Sequence, residues 1–333
     1  MKTRVNFKLF TMIALLTAVL SVNGLATEGE PTITKTFDLN QPGNLDASSS
    51  GGGVTVQTHI QSEVIIQAFV RKNGRVLSPS DNSLDEVLEN FDIDFSKNGS
   101  TITAVVKRKS RMNFWRNNVG ISLTIIVPEE MSCDVSSSGG GVKVSGVKGT
   151  HDISSSGGGV TLDNTSGNAK ASSSGGGVKS INHNGDIRLS SSGGGVSVKG
   201  ARGSVYARSS GGGVTLEDIH GSADASSSGG GVSVNGETSS VIAKSSGGPV
   251  RVDVRNLTGE LHLQSSGGGV SAVIHGGAEL GLDLDLRSGK VNIELNNFSG
   301  TSEKDRVKGK MNGGGIPFYA HASGGNVNVR FED

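Results

Sequence analysis

Residues 136–142 read SSSGGGV, and the phrase returns at 154–160, 172–178, 190–196 and 226–232, as RSSGGGV at 208–214 and as KSSGGPV at 244–250. The closing residues Val142, Val160, Val178, Val196, Val214, Val232 and Val250 are 18 residues apart throughout. A fixed period of this kind marks a stacked repeat, in which each unit buries its apolar face only against its neighbours. With the valine as position 1, apolar residues recur at positions 1 and 3 (Val160/Leu162, Val214/Leu216) and at 10 and 12 (Ala169/Ala171, Ile187/Leu189). Alternation with period 2 is a strand pattern, so each unit holds two short strands. The glycine and serine runs exclude a helix, since each glycine costs about 1 kcal/mol there relative to alanine.

The glycines belong in a bend. Pro249 stands where other units have their third glycine, and proline fixes φ near −65°. A positive φ is therefore expected at the first glycines of the bend: Gly157, Gly175, Gly193, Gly211, Gly229, Gly247 and Gly267. Position 13 accepts Arg208 and Lys244, so it faces water. Position 14 is always serine (Ser155, Ser173, Ser191, Ser209, Ser227, Ser245) and in phase with 10 and 12, so it points inward, where a small hydroxyl bonds neighbouring backbone. A second bend falls near position 8, occupied by Gly149, Gly167, Gly185, Gly203 and Gly221. The expected fold is all-β: a parallel β-solenoid, or β-helix, with 18-residue rungs about 4.8 Å apart and a thin core of Val, Ala, Leu and Ser. Aromatic residues make up only 4% of the chain, which suits so narrow an interior.

The formal net charge is zero, so no global charge points to nucleic acid. Residues 1–26 read as a secretory signal: Lys2, Arg4 and Lys8 precede the apolar run 9–20, and Gly24-Leu25-Ala26 supplies a small-residue cleavage site. The mature chain is expected to be exported to the periplasm, outer surface or medium, without a transmembrane segment. Cys133 is the only cysteine, so no intramolecular disulfide exists, and an inert buried thiol is expected. From Val54 to Val142 the period breaks into longer strands at 63–70, 91–95, 101–106 and 119–127, with a helical turn at 84–88 capped by Ser83. This insert is expected to cap the first rung, because a bare solenoid end templates aggregation. The resulting division is signal 1–26, first rung and capping insert 27–135, regular repeats 136–275, and degenerate repeats with a C-terminal cap 276–333. The tail 327–331 is expected to form the last rung.

The phrase TFDL followed by PGNLDASSSGGGV, the insert ending ISLTIIVPEEMSCDVSSSGGGV and the repeated SSSGGGV together resemble the bacterial β-strand-repeat family known as "putative adhesins", with its head-type, autotransporter-adhesin-like domains. The resemblance spans residues 32–331. It implies a β-helical fold and a bacterial envelope or surface location, and it carries no catalytic residues. An autotransporter ends in a long membrane barrel, for which this sequence has no room.

Lys107, Arg108, Lys109, Arg111, Phe114, Trp115 and Arg116 form a basic-aromatic segment holding the only tryptophan. Such a segment suits an anionic envelope polymer, with Trp115 stacking on a sugar ring. The competing reading is a solvated loop whose aromatics fold under the cap. β-Helices also host polysaccharide lyases and hydrolases, and the outward acids Asp163, Glu217, Asp218 and Asp253 are the candidates here. Glu217 and Asp253 lie two rungs apart, about 10 Å, too far for a retaining pair. His151, His183 and His220 scatter over positions 10, 6 and 7. No metal or cofactor motif occurs: there is no CxxC, no GxxxxGK[ST], and no aspartate after the glycine turn as in calcium-binding β-rolls. The outward column Lys143, Thr161, Lys179, Ser197, Thr215, Ser233, Arg251 is too often charged for an ice-binding face. The function expected is therefore a secreted, non-enzymatic, adhesin-like or envelope-interaction protein that binds an extended surface partner. The alternative is a carbohydrate-active β-helix enzyme using Glu217, Asp218 or Asp253.

Overall fold

The computed structural model describes residues 29–40, 42–109 and 119–332; the expected signal segment lies outside them. The seven evenly spaced valines form one column. Val142 pairs with Val160, Val160 with Val178, and so on to Val250, every pairing parallel and in register. Val54 extends the column below Val142, and Val270 and Val327 extend it above Val250. The second strands of the units, His151–Ser155, Ala169–Ser173, Ile187–Ser191 and Val205–Ser209, stack equally. Inward residues of both series are buried in one continuous core.

The bends differ from the expectation in two respects. None of the glycines in the SSSGGGV bends has a φ in the left-handed region, which corrects the expectation for Gly157, Gly175, Gly193, Gly211, Gly229, Gly247 and Gly267. They are glycine because the rungs touch there: a Cβ would lie 2.6 Å from Gly139 O at Gly157, and 2.4 Å from Gly141 N at Gly158. The left-handed corners are elsewhere. Position 8 is one, with φ from 99° at Gly167 to 155° at Gly149. Position 5 is another, occupied by Gly146 (φ 80°), Asn164 (51°), Asn182 (51°), Gly200 (68°) and Asp218 (55°). These are the residue types that tolerate this conformation.

Between these two corners, position 6 points inward and is filled by Val147, Thr165, His183, Ala201 and Ile219, all buried. The rung therefore has a third, short side, and the cross-section is a three-cornered prism. At 214–227 and 232–245 the chain stays in strand conformation through both corners.

The inward serines behave as their position implies. Ser191 Oγ donates to Gly176 O of the previous rung (2.8 Å) and accepts from Gly194 N of its own (3.0 Å), and Ser155, Ser173, Ser209, Ser227, Ser245 and Ser265 repeat the arrangement. Ser191→Ala should strand both backbone groups and cost about 1–3 kcal/mol. Ser190→Ala, at the exposed neighbouring position, should stay within about 0.5 kcal/mol. Urea unfolding of the pair checks this; equal midpoints would remove the serine spine from the account of stability.

Both ends are capped, and in the same way. Thr101–Arg108 and Val119–Pro128 form an outer parallel rung beneath Gly43–Ser49 and Val54–His59. Antiparallel strands Phe91–Asn98 and Glu63–Lys72 then cover it, with Ile33–Asp38 beyond the latter. In the short helix Leu84–Leu88, Ser83 makes no side-chain cap; its N–H and Oγ bond to Asp81 Oδ1 instead. At the other end the chain tail is not the last rung. Ile316–Ala322 and Val327–Glu332 stack directly on Leu261–Ser265 and Val270–His275. Leu282–Arg287 and Val291–Asn292 stack outside them, and antiparallel Arg306–Met311 and Phe298–Ser302 close the edge.

Candidate functional site

Of the basic-aromatic segment, Arg111, Phe114, Trp115 and Arg116 lie outside the described residues. The other three are at the cap. The Arg108 guanidinium lies 5.3 Å from the centre of the Phe91 ring and bonds to Val119 O. Lys109 Nζ bonds to Glu89 O at 3.0 Å and faces Asp92 at 3.6 Å. These two cations tie cap elements together, while Lys107 is exposed on the last strand before the segment.

Of the four outward acids, Asp218 and Asp253 are brought beside histidines, whereas Asp163 accepts from the Asn164 amide. His220 Nε2 lies 3.0 Å from Asp218 and its Nδ1 3.5 Å from Glu237 of the next rung. His275 Nε2 donates to Asp253 at 2.9 Å. Glu237 escapes sequence reasoning because the ladder slips between Leu216 and Ile219, which sets it against His220 although their unit positions differ; His275 escapes it because the unit from Val250 to Val270 is longer than 18 residues. Among the described residues no group of three or more His, Cys, Asp or Glu is placed to hold a metal ion. Cys133 is buried, and burial pushes its thiol up to about 12, so no thiolate is present near neutral pH.

His151 and His183 are core residues, each 1% exposed. His183 Nε2 donates to Gly167 O (3.0 Å), which leaves Nδ1 to accept from the Thr165 hydroxyl (2.9 Å). His151 Nε2 donates to Ser166 O (3.2 Å). Burial lowers both pKa values below the ordinary 6.5. The unfolded chain therefore binds protons first as pH falls, and the stability present above pH 6.5 is lost below it. The slope should approach about 1.4 kcal/mol per pH unit for each histidine. Urea melts between pH 7.5 and 5 check this, and His183→Ala, which copies its stacking neighbour Ala201, should flatten the profile. An unchanged slope in that variant would mean that other groups set the pH dependence.

A regular trough runs beside the valine column. Its floor is the glycine column Gly159, Gly177, Gly195, Gly213, and its wall is the outward column Thr161, Lys179, Ser197, Thr215; its volume is about 480 Å³. Glycine makes the floor bare backbone, which lets a partner approach closely. The wall offers one hydroxyl or ammonium per rung at the rung spacing of about 4.8 Å.

A family model described as Toastrack DUF4097 matches residues 56–330. The chain belongs to the Toastrack family. The match starts in the strand Val54–His59 and ends in Val327–Glu332, so it takes in the C-terminal end arrangement of this Toastrack protein and all of the N-terminal one except Ile33–Asp38 and Gly43–Ser49. No curated protein matches the chain. Among solved structures, a "putative adhesin" from Bacteroides fragilis NCTC 9343 is similar at 13% identity and a TM-score of 0.34, over 90% of this chain and 96% of that one. A "putative cell adhesion protein" from Clostridium sporogenes ATCC 15579 is similar at 10% identity and a TM-score of 0.20, over 91% and 100% of the two chains. Scores this low carry no weight for fold or role. Among the described residues no helix is long and apolar enough to cross a membrane.

Proposed function

We propose that this Toastrack chain is an exported, non-enzymatic, adhesin-like β-solenoid that holds an extended surface or envelope polymer along its valine face. The observation that carries this reading is the bare-backbone trough, which repeats one geometry over successive rungs. A ligand that repeats along its own length meets the same bare-backbone step at each rung, walled by a hydroxyl or, at Lys179, an ammonium, and weak contacts add as they do in multivalent binding. Glu217, Asp218 and Asp253 do not line the trough, which favours holding over cleavage. Export rests on the signal-like residues 1–26.

The test is a panel of purified surface polysaccharides and envelope fractions, with release of reducing sugar measured in parallel. Binding without release is expected. Thr161→Trp with Ser197→Trp, both outward, should block the trough and weaken binding about 10-fold or more without lowering the melting temperature. Binding unaffected by the double variant would move the site off this face, and sugar release would replace the reading with an enzymatic one.

A further inference from the structure

The side of the prism opposite in role to the valine face is built from the second strand of each rung, and its central outward column is divided by charge. Asp46, Asp134 and Asp152 stack in register on three consecutive rungs. Lys170, Arg188 and Tyr206 continue the same column on the next three. Flanking outward positions are small on the first four rungs, with Asn44, Ser132, Thr150 and Asn168 on one edge and Ser136 and Ser154 among those on the other, while Asp186 and Arg208 stand on the two edges further along. Over these six rungs the row is acidic at Asp46, Asp134 and Asp152 and basic at Lys170 and Arg188, with Tyr206 next and Asp224 following it.

Within one chain that row is poorly compensated. Lys170 reaches Asp152 at 3.5 Å, at the long end for an ion pair. Asp46 and Asp134 have no ion-pair partner among the described residues, and burial, with the Asp152 and Asp46 charges, pushes the Asp134 carboxyl up from its ordinary value. Arg188 has the Tyr206 ring 5.3 Å away and no ion-pair partner among the described residues; Arg208, 4.0 Å from the same ring, is taken by Asp224 at 2.8 Å. Like charges stacked at the rung spacing repel, and an unpaired cation waits on the same row.

We propose that this face is the interface of a two-fold homodimer in which a second copy lies antiparallel across it. A two-fold axis through the midpoint between Asp152 and Lys170 sets Asp152 against Lys170 of the second copy, Asp134 against its Arg188, and Asp46 against its Tyr206 hydroxyl, each contact occurring twice. The row is self-complementary under that operation and under no parallel one, and self-complementarity is what an isologous interface requires. The trough of about 490 Å³ beside the row, lined by Thr150, Asn168 and Asp186 among others, receives the side chains of the opposing row. Six rungs by one five-residue strand cover roughly 450 Å² per copy, about 900 Å² in all, which is below the size of a permanent interface. The dimer is accordingly concentration-dependent and held largely by charge, so salt dissolves it. The valine face stays open in such a dimer, and the inference stands whether or not that face binds a polymer.

The experiment is sedimentation velocity on the mature full-length chain. Wild type should dimerise in about 50 mM salt, and its Kd should rise about 10-fold or more by about 500 mM. Lys170→Glu with Arg188→Glu makes the row wholly acidic, and Asp134→Lys with Asp152→Lys makes it wholly basic in these rungs. Each double variant alone should be monomeric with an unchanged melting temperature, and an equimolar mixture should form a heterodimer. A monomeric wild type at low salt overturns the proposal, as does a dimer that ignores salt or persists in either double variant. Failure of the mixture to associate overturns the charge-row contact, and failure of the single variants Arg188→Glu and Asp134→Lys to associate with each other overturns the antiparallel register. If one double variant fails to fold, the single reversals Arg188→Glu and Asp134→Lys give the same comparison.

Discussion

Gly212→Ala is expected to destabilise the protein by at least about 3 kcal/mol, an effect out of proportion to one methyl group on an otherwise permissive surface bend. The added Cβ would stand 2.5 Å from Gly195 N and 2.7 Å from Gly195 Cα. Both are backbone atoms of the rung below, locked by the ladder, so no side chain can swing aside to make room. The neighbouring glycine is the control. At Gly213 the nearest atom to a new Cβ is Gly231 O at 3.0 Å, and the equivalent place in a later rung is naturally Pro249. Gly213→Ala should therefore cost about 1 kcal/mol or less. Thermal melts of the two variants side by side check the claim. If they melt together, the glycine triplets serve something other than rung-to-rung contact.

Ending the chain after Gly315 should have a larger effect still. It removes Phe318, Val327 and Val329, all buried, worth together roughly 5–9 kcal/mol. A typical domain is stable by only about 5–15 kcal/mol. The loss is not confined to an edge. Leu261–Ser265 and Leu282–Arg287 both pair with the missing strand Ile316–Ala322, so the truncated chain has a gap in the stack with the hairpin of residues 298–311 stranded beyond it. Limited proteolysis with mass mapping should show rapid cleavage throughout 276–311 and continued protection of 142–245. Protection of 282–311 in the truncated chain would mean that the outer rung closes onto 261–275 without the tail.

The valine column is legible in the sequence because every unit presents the same alternation at the same offset, and one rung read correctly fixes all the others. The strands of the N-terminal insert are legible for a related reason: longer runs such as Val119–Pro128 alternate strongly on their own. The position 5 corner is not visible along the chain, because each unit shows only a single Gly, Asn or Asp there. It emerges when Gly146, Asn164, Asn182, Gly200 and Asp218 are read down the stack. Glycine triplets announce that a side chain is forbidden, but composition does not distinguish forbidden by φ from forbidden by a neighbour; Pro249 excludes a positive φ at the third glycine only and leaves it open at the first, where the neighbouring rung proves to be the reason. The C-terminal order was hidden because the partner of Val270 is Val327, far beyond any period. Of the candidate site, the wall column Thr161, Lys179, Ser197, Thr215 was visible as an outward rank, whereas the bare floor beside it required the rungs to be placed in space.

The mirrored end arrangements leave the middle of the molecule unusually free. Since Gly43–Ser49 at one end and Val327–Glu332 at the other are each gripped between two other strands, the irregular, hard-to-replace structure sits at the extremities, and the units from Val142 to Val250 know only their immediate neighbours. Duplicating or deleting one such unit within that span would change the length of the rod by about 4.8 Å and disturb neither terminus. Reach is therefore a property this architecture can tune one step at a time, as a ruler is cut to size, without rewriting how the protein begins or finishes.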